Sequence, residues 1–556
     1  MSGDKDDGSE YSYMKEHNLL GQTQWPKRKL VPGFLGLCLT MYMVCTAETV
    51  FNQMLGPLKK EFETKVFAQW MEAAFLLTCV MAQPVWVKLA ERFGRFVPLV
   101  ASLVVFMGFS IMVGGASTMG VLCVGRALQG LGGAGMMPLA LVVLTDVVTP
   151  GQRGFLMGVL GAVIVAAKWT GPLVGAALLE AGQGRWRWAG YMNLPIGVLA
   201  LLLLGYALHD VPRPPGAATR KLRDFDYVGT VVWLGGSLMI LLGLSWGGNE
   251  HPWRSVIIVC LFVFGFVAIL LFALVEARWA RWPIIPLGVL LRPQTLVAVV
   301  ASFFIGMCIY GMIMFVPVYY MMVLAEGALQ SARHILWGLL GGCLGSVVAG
   351  ALVSVRGRVL LREWAVLGCA LVAVGYGLMH TWPADPAEKS KHAGFQVLVG
   401  LGLGFSMQQV LLAAQTGLPA NEVSTVTTLV DYARTLGGMV GLVVGEVVLK
   451  EKMLAAVGLA FPAMAGDALK GQDVVALESM APLLSKLPLS MTAPVYDGVV
   501  DALRLVFVVS VPFAGAACIL CLLLRNRPLH DIRPATSPDE VPEGLYALQH
   551  SGKQEQ

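Results

Sequence analysis

Gln69–Arg95 reads QWMEAAFLLTCVMAQPVWVKLAERFGR. An apolar run long enough to cross a bilayer ends in a short charged turn, and a second apolar run follows at once. Crossing a hydrocarbon core of about 30 Å takes roughly 20 such residues of helix. Outward from this stretch the chain carries about 14 runs of this kind, the first centred near Leu37 and the last near Val511. In lipid every backbone amide must bond within the chain, and runs this long and unbroken do not suit the tilted strands of a barrel. The expected fold is an all-α polytopic membrane bundle.

Composition points the same way. Of 556 residues, 56% are hydrophobic and only 13% charged, against about 25% charged in a soluble domain. Lipid must therefore solvate much of the surface. The net charge of +5 is small for this length, and the cations lie in short clusters between apolar runs, which excludes a nucleic-acid-binding face. The ten cysteines fall in or beside apolar runs, where a thiol acts as a small hydrophobe. Even the CxxC of Cys518 and Cys521 sits within FAGAACILCLLL, without the βαβ setting of a redox motif, so no disulfide framework is expected. The opening MSGDKDDGSE lacks a basic region leading into a short apolar segment, and the first span is expected to stay in the mature chain.

Catalytic patterns are missing. There is no HExxH and no Walker-type GxxxxGK[ST], the eight histidines are scattered, and GLGGAG (Gly130–Gly135) follows no strand, so it fails as a dinucleotide fingerprint. An enzyme is not expected, nor a cofactor or bound metal. Transport energy would have to come from a gradient.

Four stretches carry a more specific signal: Gln69–Arg95, GRALQGLGGAGMMP (Gly125–Pro138), WTGPLVGAAL (Trp169–Leu178) and WRWAGYMNLPIG (Trp186–Gly197). In this order and spacing, from about Pro32 to Leu524, the chain resembles the fungal-type 14-span drug:proton antiporter branch of the major facilitator superfamily. RDFDYVGTVV (Arg223–Val232) and ARTLGGMVG (Ala433–Gly441) resemble that branch's seventh and thirteenth spans. The resemblance implies two six-helix halves plus two linking helices. The expected divisions are a tail over 1–29, a first half over 30–210, a loop and two extra helices over 211–292, a second half over 293–524 with a long outer loop near 450–500, and a tail over 525–556. VKLAERFGR (Val87–Arg95) is echoed weakly by GALVSVRGR (Gly350–Arg358), as internal repeats would require.

Residue by residue, the resemblance makes Glu91, Arg92, Gly94 and Arg95 a conformational gate, with Val87 where the family has Gly. An acid beside cations at the membrane surface can form a salt bridge in one state and lose it in the other. Arg126, with Gln129 and Gly130, matches the family's RxxqG pattern. An arginine inside a span costs about 2.5 to 3.5 kcal/mol on the insertion scale, so it should face protein or a wet cavity. Gly171, Pro172 and Gly175 fit the antiporter motif, whose small residues let helices approach and whose proline lets one bend. Glu48, nine residues before Pro57, resembles the family's first-span acid and is the candidate for loading and releasing protons; a solvated helix-end acid is the alternative. Asp431 and Arg434, three apart, are expected to pair structurally.

Lys168 departs from the motif, one turn before Gly171, and no acid stands at helical spacing to neutralise it. That reading makes Lys168, with Arg126, the counter-charge for an anionic substrate, while pairing with Glu48 or another distant carboxylate is the competing account. The function expected is proton-coupled export of a small endogenous metabolite or organic acid. Efflux of drugs or toxins, siderophore transport and a non-transporting sensor remain alternatives. The partners expected are the bilayer, a small-molecule substrate and protons, with no nucleic acid and a monomeric chain in the plasma membrane or, alternatively, a vacuolar or vesicle membrane.

With the first tail inside, cations cluster on the cytoplasmic side, among them Lys27–Lys29, Arg92, Arg95, Arg153, Arg220, Lys221, Arg223 and Arg525. An even number of spans then returns the chain to the same side. Epitope tags at both ends should be cut by external protease only after sealed cells are permeabilised; a tag cut in intact cells would break the 14-span topology.

Overall fold

Apolar periods become helices, and local chemistry sets where they start. A computed structural model describes residues 27–62, 70–209, 225–248, 251–279, 282–324, 326–355, 360–382, 389–460 and 489–526. Fourteen helices among the described residues are long and apolar enough to cross a membrane. We number their α-helical cores α1 (Lys27–Thr49), α2 (Trp70–Phe93), α3 (Phe96–Gly114), α4 (Met119–Val147), α5 (Pro150–Glu180), α6 (Asn193–Leu208), α7 (Tyr227–Trp246), α8 (Val256–Arg278), α9 (Pro293–Val323), α10 (Leu336–Val355), α11 (Leu361–Met379), α12 (Lys389–Gln415), α13 (Ala420–Ala460) and α14 (Leu489–Leu522). Thr118 caps α4 by accepting from the Val121 amide at 3.3 Å, and Asp226 caps α7 by accepting from Gly229 at 2.7 Å. Prolines occupy the first turns of α5 and α9, where a missing N–H costs nothing.

The helices pack as two groups, α1–α6 and α9–α14, with α7 and α8 leaning on each other. Lipid-facing side chains stay apolar: Val256, Phe264 and Leu270 of α8 are exposed. The two groups meet chiefly where α5 lies along α10 and α2 against α13. At one end of the α5–α10 seam the Phe155 amide donates to Ser354 Oγ at 2.8 Å, and at the other Glu180 Oε1 accepts from the Leu329 amide at 3.3 Å. The seam is thus tied at both ends.

Some expectations shift. The outer loop placed near 450–500 is helical at both flanks, since α13 runs on to Ala460 and α14 begins at Leu489. A helix does not have to stop where its apolar stretch does, and KEKMLAAVGLA is rich in good helix formers. Residues 1–26 and 527–556 of the tails, the Arg356–Arg358 part of the repeat echo and Arg220–Arg223 lie outside the described residues, and Lys27–Lys29 already belong to α1.

A Cβ built on Gly154 would lie 3.0 Å from Ser354 Oγ. Cysteines at these two positions, in a background lacking the native ten, should therefore cross-link on mild oxidation and block transport until reduced. Free thiols after oxidation, read by mass-tag labelling, would contradict this packing.

Candidate functional site

The centre of the bundle is built on one carboxylate. Glu48 ends α1 only 4% exposed, and burial of a charge at that depth demands partners on both oxygens. Lys168 of α5 pairs with Oε2, and the Tyr310 hydroxyl of α9 donates to Oε1. The ammonium also lies 3.4 Å from the Tyr310 oxygen and 5.2 Å from the centre of its ring. One acid therefore ties two helices of the first group to one of the second.

Lys168 can reach Glu48 because α1 and α5 nearly touch. A Cβ on Gly171 would collide with Thr49 Oγ1, and one on Gly175 with the Val50 carbonyl. Thr49 Oγ1 donates to the Lys168 carbonyl at 2.9 Å, binding the two backbones further. Pro172 stands inside α5 beside these contacts.

The acid beside Lys168 is Glu48, the pairing set against the anionic-substrate reading as its competitor. Spacing along a helix reveals only neighbours three or four residues away, whereas Glu48 is 120 residues distant. The argument that an anionic substrate must neutralise Lys168 loses its premise.

Arg126 is held by another set of groups. It is fully buried, its guanidinium lying 4.7 Å from the Phe51 ring centre and 4.2 Å from that of Phe75. Its Nε donates to the Met71 carbonyl at 3.2 Å and Nη1 to Gln129 Oε1 at 3.0 Å, while Gln129 Nε2 donates to Ser110 at 2.7 Å. Glu72 lies 3.8 Å away to balance the charge. Cation–π contact and a carbonyl acceptor are what a desolvated arginine needs.

Asp431 and Arg434 pair within α13, and Gln83 of α2 reaches Asp431 at 3.5 Å. At the turn after α2, where a gate is expected, Gly94 adopts φ 88°, which lets α2 turn sharply into α3. Glu91 pairs with Lys88 at 2.9 Å and accepts from the Trp282 indole at 3.1 Å. Arg95 turns instead to Asp146 at the end of α4, at 2.8 Å, and Arg92 packs over the Phe93 ring. Glu91 thus has a salt bridge to Lys88 and Arg95 one to Asp146. Sequence reading missed Lys88, Asp146, Glu72 and Tyr310. Lys88 stands at i,i+3 to Glu91 and was findable; Tyr310 lies in an uncharged run and gave no signal.

A helical bundle of two packed groups, tied across by buried charges, defines a multi-pass membrane transporter. Residues 37–442 match the Major Facilitator Superfamily, and the chain belongs to that family. It is 29% identical to efflux pump dotC of Dothistroma septosporum over 502 residues, covering 89% of this chain and 83% of that one. It is 30% identical to the aspyridones efflux protein of Neocamarosporium betae, covering 76% and 75%. Its fold is similar to that of the human organic anion transporter MFSD10, with TM-score 0.54 and 12% identity, covering 90% of this chain and 100% of that one.

Removing one partner of a buried pair strands the other and typically costs about 3–5 kcal/mol. Lys168→Met alone should therefore destabilise the protein more than the double substitution Glu48→Gln with Lys168→Met. Unfolding midpoints in detergent read this directly, and equal losses would argue against the pairing.

Proposed function

We propose that the chain is a proton-driven exporter of a small endogenous organic metabolite, acting as a monomer in the plasma membrane. The observation that carries this reading is the buried Glu48 carboxylate shared by Lys168 and Tyr310 across the two helix groups. Protonating Glu48 removes the charge that holds Lys168 and weakens the hold on Tyr310. That frees α9 from α1 and α5, a change in inter-group contact of the kind alternating access requires. Deprotonation restores it. In this reading residues 30–210 and 293–524 rock as units, with the segment 211–292 between them. The similarity to efflux proteins, an aspyridones efflux protein among them, supports export of secondary metabolites. An organic acid is less favoured, because Lys168 already has its acid.

Glu48→Gln mimics the protonated state permanently. In inverted vesicles it should reduce metabolite uptake driven by an imposed pH gradient by roughly tenfold or more, while gradient-independent exchange persists. Unchanged pH-driven uptake would sink the proton-coupling role.

A further inference from the structure

Two charged pairs along the central seam are already matched, Glu48 with Lys168 and Asp431 with Arg434. Neutral side chains there are left open. Gln408 of α12 is fully buried, yet neither its Oε1 nor its Nε2 has a hydrogen-bond partner among the described residues. Its side chain crosses to the other helix group and packs on Gly161 of α5, where an added Cβ would meet Gln408 Cγ at 2.6 Å. Trp169, 2% exposed against Gly342 of α10, likewise has an unpartnered indole Nε1. Gly161 and Lys168 are seven residues apart on α5, two turns on one face, or about 10 Å along the axis.

We infer that Gln408 is a hydrogen-bonding site for an uncharged, oxygen-bearing organic ligand. This rests on the export reading and deepens it by naming the substrate class. Buried amides are nearly always bonded, and one left open on a surface that must part during transport points to a partner that comes and goes. The amide offers a donor and an acceptor side by side. Carbonyl and hydroxyl groups on a flat or extended skeleton match that set. A carboxylate or sulfonate does not, since it would have to compete with Glu48 for Lys168. Separation of α5 from α10 and α12 would uncover the amide, and closure would seat the ligand against it.

The test uses the full chain in lipid nanodiscs, with empty nanodiscs as the blank, and equilibrium dialysis of three probes: 1,8-dihydroxyanthraquinone, anthracene and anthraquinone-2-sulfonate. The wild type should bind the dihydroxy probe about tenfold more tightly than anthracene, one net hydrogen bond's worth. Gln408→Leu, close in volume, should lose most of that ratio while leaving anthracene binding in place. Gly161→Ala keeps the amide but displaces it, and should lower the ratio in part; it serves as the test should Gln408→Leu fail to fold. The inference is overturned if the wild type shows no preference for the dihydroxy probe, if the sulfonate binds best, or if both variants keep the wild-type ratio. Binding is measured without a gradient. Loss of the ratio with pH-driven flux intact therefore rejects this site alone, and loss of flux with the ratio intact rejects only proton coupling.

Discussion

The Glu48–Lys168 pair is the constraint around which the rest is arranged. Two charges removed from water are tolerated only when each is neutralised and its remaining hydrogen-bonding capacity is used. The carboxylate uses one oxygen on Lys168 and the other on Tyr310, so the two helix groups share a single acid. That contact exists only because α5 lies against α1, and α5 lies there only because Gly171 and Gly175 present no side chain to Thr49 and Val50. The glycine motif and the ion pair are therefore one device. A larger residue at either glycine would push Lys168 away from the acid it neutralises.

The same economy holds elsewhere in the bundle. Asp431 and Arg434 balance each other inside α13, and Gln83 attaches that pair to α2 through a neutral amide. Arg126 is balanced by Glu72 and caged by two phenyl rings. These arrangements keep charge local to one helix or one group. Glu48 differs in that a charged partner from the first group and a hydroxyl from the second meet on its two oxygens.

Hydropathy made the fourteen spans legible, because lipid imposes one length and one polarity on all of them. Motif residues were also legible as positions, and Glu48, Lys168, Arg126 and Asp431 all prove buried. Their partners were legible only where they share a helix, as Asp431 does with Arg434. The union of Glu48 with Lys168 was open only as one of two accounts, because choosing it depends on how α1 crosses α5, which no spacing rule encodes. Tyr310 was invisible for a different reason: a tyrosine in an apolar run reads as core, and its hydroxyl matters only once a carboxylate is placed beside it. Gln408 is similar, for its open amide becomes evident only when Gly161 is seen across the seam.

The two extra helices bear on how such a bundle can move. Trp233 of α7 donates to the Met81 carbonyl of α2 at 3.3 Å and packs its ring 5.2 Å from that of Tyr432 in α13. In the last turn of α8, Glu276 accepts from the amides of Ile284 and Ile285, and Trp282 beyond the helix donates to Glu91. The pair is therefore built into the α2–α13 seam and is more than a lipid-facing appendage. Any motion that parts α2 from α13 must either carry Trp233 with one of them or break its contact with the other. Aromatic contact is tolerant of sliding, whereas the indole hydrogen bond to a helix carbonyl is directional. The arrangement favours α7 travelling with α2, so that the ring of Tyr432 slides over Trp233 while Trp282 keeps its hold on Glu91.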